Sequence, residues 1–166
     1  MNNELTLENT TFASRSAEFL SGVVGVAGVM MLSAWVKIPL PFTPVPVTLQ
    51  TLAVFLVGSL MPPVTASAGM LLYLVLGMAG APIFAVSFGP TFGYIVGFVV
   101  APFILAKSRN RVWGMPLALG LVYCLGVCWL SFWLGVSLQN ALFLGVLPFA
   151  PADVFKMVVA HQILRS

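Results

Sequence analysis

Two ionisable residues stand out in the last apolar segment of the chain, Asp153 and Lys156 in Leu147-Pro-Phe-Ala-Pro-Ala-Asp-Val-Phe-Lys-Met. Three positions apart on a helix, they share a face. An ionised Asp or Lys at the centre of a membrane helix costs roughly 2.5 to 3.5 kcal/mol on insertion scales, so such groups persist where they have partners and a task. One reading is an intrahelical ion pair at a membrane interface. The other is a polar floor for a ligand with hydrogen-bonding and anionic groups. A Lys captures a carboxylate as a point charge, and Asp153 offers acceptors to N–H donors. A helix N-terminus close to Asp153 favours its negative charge.

Two further groups of residues join this pair. In Ile38-Pro-Leu-Pro-Phe-Thr-Pro-Val-Pro-Val-Thr-Leu-Gln, alternate prolines hold the backbone extended and rigid. Thr43, Thr48 and Gln50 are then presented from a strand-like loop into the top of a helix. Thr48 suits a helix cap, while Gln50 suits either a ligand or an interhelical hydrogen bond. In Gly89-Pro-Thr-Phe-Gly-Tyr-Ile-Val-Gly-Phe, Gly93 and Gly97 form a small-xxx-small packing pair. Tyr94 adds a ring for stacking and a hydroxyl that needs a partner. Ser21, Gly25 and Gly28 give the first helix a small-residue stripe, for packing within the bundle or against another subunit.

The elements that must position these residues follow from composition. Of 166 residues, 60% are hydrophobic and 7% charged, with a mean hydropathy of +1.08. A soluble domain carries about 25% charged residues, so lipid is this chain's main solvent. A bilayer span needs roughly 20 apolar residues. Six candidates satisfy this approximately: Phe19 to Val36, Val47 to Met61, Val64 to Ala79, Thr91 to Ala106, Val112 to Leu134 and Asp153 to Leu164. With both termini cytoplasmic, Arg15, Lys107, Arg109, Arg111 and Arg165 fall inside and Lys37 alone outside, as the positive-inside rule requires. The expected fold is therefore an all-α integral membrane protein, a bundle of six transmembrane helices. A polar tail, residues 1–15, without the pattern of a cleavable signal peptide, precedes the membrane domain, residues 16–166. The connections 38–47, 80–90 and 135–151 are apolar and rich in Pro and Gly. They are expected to fold back over a cavity on the outer side.

Enzymatic chemistry is not expected. His161 is the lone histidine, near the inner end, with no nucleophile–base set converging on it. Cys124 and Cys128, four apart on one helix face, suit packing better than a disulfide or a metal. No G-x-x-x-x-G-K-[ST] occurs, so the chain has no ATP site. No cofactor and no nucleic-acid partner are expected.

The stretches IPLPFTPVPVTLQTLAVFLVG, LGMAGAPIF, GPTFGYIVGF and LPFAPADVFKM resemble, in order, the BioY family, the biotin-binding S components of energy-coupling-factor transporters. The resemblance covers about Leu32 to Met157. It implies a six-helix subunit of the bacterial cytoplasmic membrane that captures biotin from outside. The implied partners are a transmembrane coupling subunit and two ATPases. It further implies that Asp153 holds the ureido ring and Lys156 the valerate carboxylate. Thr43, Gln50 and Tyr94 match recurring positions, and Ser87 is the polar side chain left in a Phe84–Gly89 loop shorter than the family's glycine-rich one. Phe92 stands where the family has Gly. The first helix has Ala27 followed four later by Met31, in place of an Ala-xxx-Ala coupling motif. The alternatives are an S component for another vitamin and a small membrane scaffold.

Overall fold

The computed structural model describes residues 2–80, 89–108 and 111–165. In chain order they form α1 (Asn2–Trp35), β1 (Lys37–Leu40), β2 (Thr43–Thr48), α2 (Gln50–Leu60), α3 (Pro63–Met78), α4 (Phe92–Lys107), α5 (Arg111–Leu134), α6 (Leu138–Gly145) and α7 (Ala150–Ile163). Each of the six apolar segments read from the sequence holds a helix, although the second, Val47 to Met61, begins in β2 and turns helical only at Gln50. Proline punctuates them: Pro62 caps α3 and Pro63 opens it, where the missing N–H would have no partner. Pro102 and Pro116 sit inside α4 and α5, a placement that membrane helices tolerate.

Three features depart from the sequence reading. First, the fold is not purely α. The proline-alternating segment pairs with itself as an antiparallel hairpin, with Lys37 opposite Thr48, Ile38 opposite Val47 and Leu40 opposite Thr43. A two-stranded ribbon leaves each strand an unpaired edge, and there Pro costs no ladder bond. Second, the polar stretch read as a tail continues α1 helically from Asn2. Third, the connection 135–151 contains a helix, α6. Ser137 caps it by accepting the Asn140 amide at 3.3 Å, after a turn at Gly135 with φ of +64°. Eight residues are too few to register as a span, so the glycines and prolines around them read as loop.

Residues 14–35 and 113–134 form helices long and apolar enough to cross a membrane. The pair α6 and α7, bent by 53° at its break, makes a third candidate. Helices α2, α3 and α4 are apolar but shorter. Polarity is inverted relative to a soluble domain. Phe132, Phe155 and Trp113 are 78%, 69% and 68% exposed, whereas Thr65, Ser67, Gln50, Asp153 and Lys156 are buried. Exposed apolar and buried polar groups suit a lipid surround, in which ionisable side chains turn to the bundle interior.

The helices approach closely where the sequence places small residues. A Cβ on Gly97 would lie 2.8 Å from the Val122 Cα of α5, and one on Gly93 would strike Trp129 and the Leu125 carbonyl. The Gly93/Gly97 pair therefore packs α4 onto α5, as its spacing predicts. The Gly25 and Gly28 positions of α1 meet nothing within 4 Å. That stripe faces away from the bundle.

Candidate functional site

The first turns of α2, α4 and α7 converge with the middle of α5. Each turn carries a polar side chain into the interior. Asp153 and Lys156 are only 3% and 7% exposed, and the Lys156 Nζ lies 2.7 Å from the Asp153 Oδ1. Buried charges need every lone pair and proton engaged, and this pair has partners on two other helices. The Thr51 hydroxyl of α2 donates to Oδ1 at 2.7 Å and accepts from Nζ at 3.0 Å. The Tyr123 hydroxyl of α5 donates to Oδ2 at 2.6 Å. The pair is thus intrahelical, as one sequence reading had it, yet it sits in the bundle interior.

A second polar group flanks it. The Gln50 Nε2 donates to the Tyr73 hydroxyl of α3 at 2.9 Å, an interhelical bond. The Gln50 Oε1 accepts from the Thr48 hydroxyl at 3.2 Å, and that hydroxyl accepts the Gln50 amide at 3.3 Å. Thr48 therefore serves the start of α2 as expected, although the N-cap position falls on Leu49, which makes no side-chain cap bond. Tyr94 is buried and donates to the Gly145 carbonyl at 2.9 Å, tying α4 to the end of α6. Its ring lies against Gly126, where a Cβ would strike it.

These residues surround a cavity of about 360 Å³, within the range of roughly 300 to 1,000 Å³ for small-molecule sites. Its buried end holds Asp153, Lys156, Thr51 and Tyr123; its walls include Tyr94, Phe98 and Phe149. Trp35, Lys37 and Pro44 form its exposed rim. Apolar walls with a few convergent polar groups are the common form of such sites. A donor ammonium beside an acceptor carboxylate complements a ligand edge that carries a carbonyl next to an N–H. Among the described residues, no three His, Cys, Asp or Glu side chains come together as a metal set.

Asp153, Lys156, Gln50 and Tyr94 thus meet at one cavity. Thr43 does not. It is buried opposite Leu40 at the turn end of the hairpin, where its hydroxyl accepts the Val45 amide at 3.3 Å. Ser87 and most of the Phe84–Gly89 loop lie outside the described residues. Phe92 packs on Trp129, with ring centroids 4.8 Å apart, and the Trp129 Nε1 donates to the Gly89 carbonyl at 2.9 Å. Sequence reasoning missed Thr51, Tyr73 and Tyr123. Thr51 directly follows Gln50 in the first turn of an apolar helix, and Tyr123 is a hydroxyl deep in α5. Both carried the same signal as Gln50 and Tyr94, a polar group in an apolar helix that must find a partner. One geometric point departs from the expectation of two separate roles for the pair. With Nζ and Oδ1 2.7 Å apart, Asp153 and Lys156 present one polar spot rather than two ends of a site.

A family model described as the BioY family matches residues 5–166. A Pyrococcus horikoshii protein named "Probable biotin transporter BioY" is 36% identical over 80% of this chain and 86% of its own length. A Thermotoga maritima protein named "Biotin transporter BioY" is 34% identical over 81% of this chain and 86% of its own. Among solved structures, the S-component for biotin from an ECF-type ABC transporter superposes with a TM-score of 0.75. It covers 92% of this chain and 91% of its own at 23% identity, which establishes the shared fold.

Proposed function

The chain belongs to the BioY family, and from that premise we propose that it is the biotin-binding S component of an ECF-type transporter. It captures biotin at the outer face of the bacterial cytoplasmic membrane and delivers it inward. It has no catalytic role and no ATP site of its own; a transmembrane coupling subunit and two ATPases supply the energy. The reading is supported by relatives named as biotin transporters and by the likeness to a biotin S-component.

The observation that carries it is the buried Asp153–Lys156 pair at the end of an apolar-walled cavity. A ureido ring presents N–H donors beside a carbonyl acceptor. Asp153 accepts from the ring N–H, and Lys156 donates to the carbonyl. The aromatic walls take the bicycle, with Gln50 and Tyr94 on its flanks. Six spans accommodate the membrane domain, residues 16–166: α1 to α5, with α6 and α7 as one broken span. Five basic residues on the side of the termini against Lys37 on the other favour cytoplasmic ends.

Equilibrium binding of labelled biotin to the purified protein tests the assignment. Unlabelled biotin should compete, thiamin and riboflavin should not, and Asp153→Asn should abolish binding. Competition by another vitamin would keep the S-component reading and discard biotin. Absence of all binding would discard both.

A further inference from the structure

The position of Lys37 carries the reading one step further. Lys37 opens β1 immediately after α1 ends and lines the same cavity as Asp153 and Lys156. Unlike them it is exposed. Its strand partner is Thr48, whose hydroxyl bonds Gln50, and the next residue of α2, Thr51, touches the buried pair. The three residues from Thr48 to Thr51 span at most about 10 Å and a cross-strand step adds about 5 Å. The Lys37 backbone therefore stands within about 15 Å of Thr51, with a long flexible stem to bridge part of that gap.

An elongated acid in this cavity must put its carboxylate at one end. At the buried end, Lys156 is already engaged by Asp153 and Thr51. A carboxylate placed there would desolvate beside the like charge of Asp153, which accepts three bonds of its own. At the exposed end, Lys37 has no carboxylate partner among the described residues. Resting on the biotin reading, we infer that Lys37 receives the ligand's carboxylate at the rim and makes the site selective for acids over their neutral derivatives. Lys156 then serves the ring end alone, and Asp153, Lys156 and Lys37 divide the ligand between a charge-balanced interior and a cationic rim.

Binding of biotin and of its uncharged amide, biotinamide, to the wild-type protein and to Lys37→Gln tests this. The wild type should prefer biotin about two- to fivefold, the scale of a solvent-accessible charged contact. Lys37→Gln should lose that preference while binding biotinamide as the wild type does, which also shows that the variant is folded. Raised salt should erode the wild-type preference. An unchanged preference in Lys37→Gln, or an equal loss for both compounds, overturns the role of Lys37 and leaves a lysine that only anchors the hairpin in the interface. A wild-type protein that binds neither compound overturns the biotin reading together with this one.

Discussion

The Thr51 hydroxyl on α2 bridges both members of the ion pair on α7, donating to Asp153 at 2.7 Å and accepting from Lys156 at 3.0 Å. One small side chain thereby satisfies a carboxylate lone pair and an ammonium proton on a different helix. The first turn of α7 is held to the first turn of α2, and the orientation of the pair is fixed before any ligand arrives. Preorganised polar groups of this kind lower the cost of binding, because their ordering is complete in the empty site.

Thr51→Val should remove both bonds with little change of shape. Hydrogen bonds to charged groups contribute about 1.5 to 3 kcal/mol, so thermal unfolding in detergent should show a clear loss of stability, with weaker ligand binding. Thr51→Ser should restore both. A Val variant as stable and as tight-binding as the wild type would show the bridge to be idle.

Asp153→Leu strands the buried Lys156. Breaking one partner of a buried pair costs about 3 to 5 kcal/mol, whereas replacing both with apolar residues is often neutral. The double variant Asp153→Leu/Lys156→Met should therefore unfold near the wild-type temperature while binding no ligand. If the double variant is as unstable as the single, the pair is held by something other than mutual compensation.

Gln50 and Tyr73 form one unit at 2.9 Å. Gln50→Leu and Tyr73→Phe should each destabilise by about 0.5 to 1.5 kcal/mol. Combined, they should cost less than the sum, because the second removes an orphaned partner. Strict additivity in a double-mutant cycle would contradict the bond.

Gly126→Ala should push the Tyr94 ring, because a Cβ there would strike it. Overpacking costs about 1 to 3 kcal/mol, and the ring faces the cavity, so ligand affinity should fall. In a Tyr94→Ala background, itself destabilised, Gly126→Ala should cost little more, because the ring it strikes is gone. A Gly126→Ala protein that binds ligand normally would show that the ring has room to yield.

Much of this site was legible because lipid makes polar residues conspicuous. Asp153, Lys156, Gln50 and Tyr94 stood out as rare polar groups in apolar helices, and all four meet at the cavity. The proline alternation marked the extended segment, but its pairing as a hairpin depends on a turn at residues 41–42 that the proline spacing does not mark. Thr43 shares the segment's pattern yet lies at the turn end. Tyr123 carried the same local signal as Tyr94, but its partner Asp153 stands 30 residues away, and no local signal reports which helices will touch. The α6 helix was hidden by its length and by the breakers on both sides.

The 2.7 Å contact between Lys156 and Asp153 has an electrical consequence. Moving one elementary charge through a membrane potential is worth about 2.3 kcal/mol per 100 mV. A cation and an anion locked together at one depth cross the same fraction of that field, and their contributions cancel. Any voltage sensitivity of uptake then arises from charges outside this pair, such as the exposed Lys37 at the rim, and the buried seat is electrically silent.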